Sequence, residues 1–314
     1  MKTHSIEYIN HMVELGEAGA YINAFERQFD GRIEEIARDI AENAMDNRIV
    51  LTAGPSSSGK TTFSLKLCAV LKEKRMDAHV ISLDNFFLAK DALPLNENGE
   101  QDYETVFALD LDLVQQCFNT LFAEGKADFP RFDFAQGKQI KNDHVVAIKE
   151  DTILIVEGMH ALNDEILTRM PLVGCKKIYI SLLSDMTQGE GEVFLKKQNI
   201  RLLRRIVRDY KYRGSSLRNT LSMWSRVLEG DYKYVIPTKQ TADIFVDTYF
   251  AYDPGVIKPF FMEHLETIEE NIPHRETIED ITKTLEQVKE IDEALLPETS
   301  LLREFVGGSI YYDN

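Results

Sequence analysis

The sequence predicts an α/β protein built on a parallel sheet wound on both faces, flanked by helical stretches at either end. Three observations carry that reading. Short apolar, β-branched runs recur through the middle of the chain, amphipathic stretches separate them, and a glycine- and serine-rich turn joins the first run to its helix. The strand runs are Ile49–Ala53, His79–Leu83, Thr152–Glu157, Lys177–Ser181 and Asp243–Asp247. Helical spacing is found at Thr61–Lys74, Leu109–Glu124, Ile200–Tyr212 and Ser216–Glu229. A hairpin near Lys138–Ile148 interrupts the alternation.

Residues 1–47 read as a helical extension, with Ile33, Ile36, Ala37 and Ile40 on one stripe; residues 48–252 hold the sheet. A second helical extension, 253–314, carries the stripe Ile278, Ile281, Leu285, Val288 and Leu295, and Gly307-Gly308 marks a final turn. With 314 residues the chain can bury one substantial core. A formal charge of −16 repels phosphate backbones and anionic lipid, which argues against nucleic acid or a membrane as partner. Cys68, Cys117 and Cys175 fit neither a disulfide framework nor a zinc knuckle. The start lacks a secretion signal, and no apolar run reaches the ~20 residues that span a bilayer, so the cytoplasm is expected. A homo-oligomer is compatible with all of this.

Gly54-Pro55-Ser56-Ser57-Ser58-Gly59-Lys60-Thr61 fits the phosphate-binding pattern GxxxxGK[ST]. Glycines let the backbone curl so that successive N–H groups face one anion, and the following helix points its positive end inward. Gly54, Ser56, Ser57, Ser58, Gly59, Lys60, Thr61 and Thr62 are therefore expected to hold ATP. Lys60 would reach its β- and γ-phosphates, and the Thr61 hydroxyl would sit on Mg²⁺. A strand directly before and an amphipathic helix directly after give the motif its required setting. The sheet is thus expected to be of the P-loop NTPase type.

Two acids, Asp84 and Glu157, end predicted strands, where ligands of open α/β sheets bind. One would serve the magnesium side and the other would accept the proton of an attacking hydroxyl; spacing alone leaves the assignment open. From Lys196 to Arg213 there are eight basic residues and one acid, Asp209. Arg201, Arg205 and Arg208 share one helical face, opposite Leu202, Leu203, Ile206 and Val207. Such a helix would be a lid bringing arginines over a transferring phosphoryl group, or else a solvated basic face or a nucleic-acid contact.

These residues carry a resemblance. Gly54–Thr62, Ile81–Phe87, Pro130–Phe134, Val156-Glu157-Gly158 and Arg204–Asp209 resemble the uridine kinase branch of the phosphoribulokinase/uridine kinase family. Asn96–Tyr103, Val156–Asn163 and the tail Ser300–Ser309 look like the members whose longer forms carry an N-terminal TGS region, of which only the last helical stretch would be present here. The resemblance implies five parallel strands, Mg-ATP as donor and a nucleoside 5′-hydroxyl as acceptor. It also implies roles: Asp84 as base, Glu157 on the magnesium side and Asp102 on ribose hydroxyls. Arg205, Arg208 and Arg213 fall on its lid and phosphate-contacting arginines, with Arg205 also next to the acceptor.

Where the family reads a pyrimidine with a tyrosine, a histidine and a glutamine, this chain has Phe132, Gly137 and Met223. Stacking on Phe132 survives that change, but the hydrogen bonds to the base do not. His160 is expected either beside Glu157 in the pocket or as an ordinary bonded histidine, Phe86, Phe87, Phe132 and Phe134 as core or pocket wall rather than stacking platforms, and Trp224 as packing. The expected activity is ATP-dependent transfer to a small-molecule hydroxyl. The alternatives are a kinase of a non-nucleoside, sugar-like alcohol and a nucleotide-binding regulatory module without turnover.

Overall fold

The computed structural model describes residues 4–170, 174–265 and 271–312, so the outermost residues of both predicted extensions lie outside it. Helices α1 (Ile6–Glu14) and α2 (Ala18–Glu42) precede β1 (Ile49–Ala53), α3 (Lys60–Glu73) and β2 (Ala78–Ser82). Then follow α4 (Leu111–Glu124), β3 (Lys126–Asp133), β4 (Lys138–Ala147), β5 (Ile153–Glu157), α5 (Asp164–Leu167) and β6 (Cys175–Ser181). A small hairpin of β7 (Met186–Gln188) and β8 (Glu192–Leu195) leads to α6 (Lys197–Tyr212) and α7 (Leu217–Gly230). The chain ends with β9 (Ile244–Asp247), α8 (Asp253–His264), α9 (Arg275–Glu286) and α10 (Arg303–Val306).

The main sheet runs β2-β5-β1-β6-β9, with every pair parallel. These are the five strands expected from the sequence, displaced by a residue or two at their ends. Period-2 alternation divides them between two cores. Val50, Ile153 and Ile155 face one apolar layer with α2, α3, α6 and the C-terminal helices. Leu51, Leu154 and Val156 face the other, with α4 and the β3–β4 hairpin. Both faces are covered, as an all-parallel sheet requires.

Local chemistry sets the helix ends that frame the site. Asp110 caps α4 by accepting from Leu113 N at 3.0 Å, and Gly125 closes that helix in the left-handed region. By contrast α3 starts at Gly59, also left-handed, with no side chain of its own over its first amides.

The structure corrects three expectations. The hairpin begins earlier than predicted, at Lys126, because Pro130 sits where the β3–β4 register shifts and so does not break the strand. Leu295 leaves the predicted C-terminal stripe: it is 41% exposed in a short 3₁₀ turn, whereas Ile278, Ile281, Leu285 and Val288 are buried. The basic helix α6 has no solvated arginine face; Arg201, Arg204 and Arg205 are buried along with its apolar residues. Arg204 closes a fully buried pair with Asp253, donating through Nε at 2.7 Å and, through Nη2, to Asp253 again and to Thr248 O.

Candidate active site

The loop between β1 and α3 lies at the carboxyl end of the central strand, between β5 and β6. A Cβ on Gly54 would run into the carbonyl of Ile180 on β6, so only glycine lets the loop leave the sheet at that point. The loop is then held from several sides. Arg201 Nε donates to Ser56 O at 2.9 Å, an Arg205 terminal nitrogen to Ser56 Oγ at 2.8 Å, and Thr248 Oγ1 to Ser58 O at 2.7 Å. Lys60 Nζ turns back onto Pro55 O at 3.0 Å.

Ser57 and Ser58 are buried, and their hydroxyls have no hydrogen-bond partner among the described residues. Buried donors of this kind, beside orphan helix amides, suit a phosphate. Burial presses the Lys60 ammonium below its ordinary range, opposed by the charges of Glu157, Asp84 and Glu304.

Glu157 ends β5, which pairs directly with the loop strand, and its Oε1 accepts from Thr61 Oγ1 at 3.3 Å. Burial, and then the nearby Asp84 charge, push the Glu157 carboxyl up to about 7, against the pull of Lys60. Asp84 lies just past β2 in a 3₁₀ turn, and its charge acts on Lys60, Glu157 and Arg208. The two strand-end acids and the loop lysine therefore form one electrostatic unit.

Of the basic residues on α6, Arg201 and Arg205 reach the loop, while Arg208 folds onto Asp209 Oδ1 at 2.8 Å. Asp209 ties Arg205 in as well, at 3.2 Å. Burial alone would raise the Asp209 carboxyl, but Arg208, Arg205 and Arg213 together hold it below the usual range. Guanidiniums on a packed helix are thus anchored to the cradle.

A cavity of about 350 Å³ opens beside this cluster, lined by Asp102, Glu104, Arg226, Glu229, Lys233 and Tyr234 among others. Asp102 accepts from Glu104 N at 3.0 Å. Burial pushes the Glu104 carboxyl up to about 7, against the opposing charge of Arg205.

Phe132 is not part of that lining. It stacks at an angle on Phe87 and Phe134, with centroids 5.7 and 5.0 Å away, and Arg213 lies over the Phe134 ring at 4.3 Å. Gly137 sits in the hairpin turn at φ 62°. The structure thus brings the cradle, Asp84, Glu157 and the α6 arginines together, with Asp102 on the cavity wall and Phe132 in an aromatic cluster tied to the site by its amide on Asn85 Oδ1 at 3.3 Å and by Arg213 over Phe134. His160 is buried against Tyr234, and its ring nitrogens lack a partner among the described residues. Trp224 is buried packing, with Arg201 over its ring at 5.6 Å.

Sequence reasoning gave no role to Glu104 or Glu304. Glu104 follows Asp102 by two places, a spacing that could have marked it; Glu304 lies more than 240 residues from the loop, and only the fold joins them.

Thr61 and Glu157 offer a hydroxyl and a buried carboxylate, hard oxygen donors that fit Mg²⁺. Among the described residues, no group of three or more His, Cys, Asp or Glu could hold a metal ion.

A glycine-rich loop between the central strand and its helix, with acids ending neighbouring strands, defines the class of P-loop phosphotransferases. A model of the Phosphoribulokinase / Uridine kinase family matches residues 49–252, and the chain belongs to that family. A uridine kinase of Staphylococcus aureus is 30% identical over 203 residues, covering 63% of this chain and 86% of that one. Among solved structures, a putative fructose transport system kinase from Silicibacter covers 68% of this chain and 98% of its own, at 18% identity and TM-score 0.48. A possible uridine kinase from Bacillus stearothermophilus covers 69% and 98%, at 16% identity and TM-score 0.46. No helix among the described residues is long and apolar enough to cross a membrane.

Proposed function

We propose that the chain transfers the γ-phosphoryl group of ATP to a hydroxyl of a small neutral molecule in the cytoplasm, with a nucleoside 5′-hydroxyl as the leading acceptor. The observation that carries this is the contact of Thr61 with Glu157, which joins the phosphate cradle to the acid of the neighbouring strand. In this reading the amides of Gly54–Thr62, with Lys60, hold the phosphates. Thr61 and Glu157 would hold Mg²⁺, which would supply neutralisation of phosphate charge. Arg205 and Arg208 counter the charge that spreads over the transferring group, with Arg213 alongside. Asp84 accepts the proton of the acceptor hydroxyl. Asp102 accepts hydrogen bonds from neighbouring hydroxyls of the acceptor.

A second reading keeps the chemistry and replaces the nucleoside by another sugar-like alcohol. The polar lining of the cavity favours it, because Phe132 stands outside that lining and Gly137 offers no side chain to read a base. A panel of nucleosides and free sugars with γ-labelled ATP separates the two. Labelling of uridine or cytidine alone supports the first, labelling of sugars alone the second, and ATP binding without any transfer overturns both.

A further inference from the structure

The C-terminal segment ends on the phosphate cradle. Glu304 Oε2 accepts from the Thr62 amide at 3.2 Å and from the Thr62 hydroxyl at 2.7 Å. The Tyr312 hydroxyl shares a hydrogen bond with Thr62 Oγ1 at 2.9 Å and donates to Glu304 Oε2 at 3.4 Å. Leu301 lies against the bare face of Gly59; a Cβ there would sit 2.5 Å from its Cδ1.

The segment that delivers these groups is firmly built. Leu301, Leu302 and Phe305 are fully buried, and Arg204 lies over the Phe305 ring at 5.3 Å. Arg303 donates to the carbonyls of Leu296, Glu293 and Gly307 at 2.8, 2.9 and 3.2 Å. Lys211, on the arginine-bearing helix, donates to Val306 O at 2.8 Å.

Thr62 is the third residue of α3, and its amide is one of those that have no acceptor inside the helix. In a phosphate-binding loop these amides serve the nucleotide's phosphates. A carboxylate seated there makes the hydrogen bonds a phosphate oxygen would make. The two anions cannot share the position, and Glu304 also sets a third negative charge near Glu157.

We infer that Glu304 is an internal competitor for the phosphate seat: the C-terminal segment caps the cradle of the nucleotide-free chain, and its carboxylate withdraws when Mg-nucleotide binds. The inference rests on the reading of the cradle as a nucleotide site. The apolar anchors need not move, since rotation of the Glu304 side chain and release of Tyr312 suffice. Apparent nucleotide affinity is then lowered by the fraction of chains that are capped.

The test uses the full chain and calorimetry with magnesium and a non-hydrolysable ATP analogue. Glu304→Ala and the near-isosteric Glu304→Gln should each bind about tenfold tighter than the parent, and Tyr312→Phe about twofold tighter. Equal or weaker uptake by both Glu304 variants overturns the inference, weaker uptake making Glu304 a nucleotide-positioning residue. Absence of uptake by the parent and by every variant overturns the nucleotide-site reading itself.

Discussion

The two ends of the site are built in opposite ways. The proposed donor end is one contiguous strand–loop–helix, Gly54–Thr62, whose amides would do the binding and whose shape is held by Arg201, Arg205 and Thr248. The proposed acceptor end is a cavity assembled from the 94–107 loop, the last turn of α7 and the turn after it. The donor end presents backbone groups, lysine and arginine; the acceptor lining carries Asp102, Glu104 and Glu229 against Arg226 and Lys233. Backbone recognition leaves little room for change, whereas a cavity of side chains can be altered one residue at a time. Phosphoryl chemistry should therefore be resistant to reinterpretation, and acceptor choice should be where this chain differs from its relatives.

That contrast can be broken by substitution. The largest effect is expected at the donor end: Lys60→Ala should lower phosphoryl transfer by at least ~10³-fold and abolish calorimetric uptake of Mg-nucleotide. Undiminished uptake would remove the cradle's assigned role. Next comes the support behind it. Asp253→Ala leaves Arg204 buried and unpaired, and should cost about 3–5 kcal/mol in denaturant unfolding. A loss under 1 kcal/mol would mean that Arg204 finds water or another acceptor.

His160 gives a pH signature. Burial lowers its pKa from 6.5 to about 4, so the unfolded chain binds a proton between those values that the folded chain refuses. Stability from this group is present above pH 6.5 and is lost as pH falls toward 4, up to about 3 kcal/mol in all. His160→Leu should shrink the acid-side loss by that order; an unchanged pH profile would place the proton elsewhere.

The smallest effect belongs to the acceptor end. Asp102→Ala should raise the acceptor KM about tenfold with little change in nucleotide affinity, because one charge-assisted hydrogen bond is lost. A fall in kcat with constant KM would move Asp102 from binding to chemistry.

The same contrast explains what could be read from the sequence. The five strands and the cradle rest on near neighbours in the chain, so short apolar, β-branched runs and one eight-residue motif located them. Glu157 and Asp84 were legible because the end of a parallel strand is itself a position in space. What escaped depends on distant partners. The burial of the α6 arginines needs Asp231 and Asp253 from later elements, and amphipathic spacing cannot show that a charged face is covered. Pro130 hid a strand because a bulge tolerates it, and Leu295 kept helical spacing after the helix had ended. Glu304 reaches Thr62 only through the packing of Leu301, Leu302 and Phe305.

The central claim is that Asp84 activates an acceptor hydroxyl against ATP held by the cradle. It is tested most directly by single-turnover transfer from γ-labelled ATP to the best acceptor, comparing the parent chain with Asp84→Asn. The account predicts unchanged Mg-ATP affinity and a transfer rate reduced by roughly 10²–10⁴-fold. A variant that transfers at the parent's rate would contradict it.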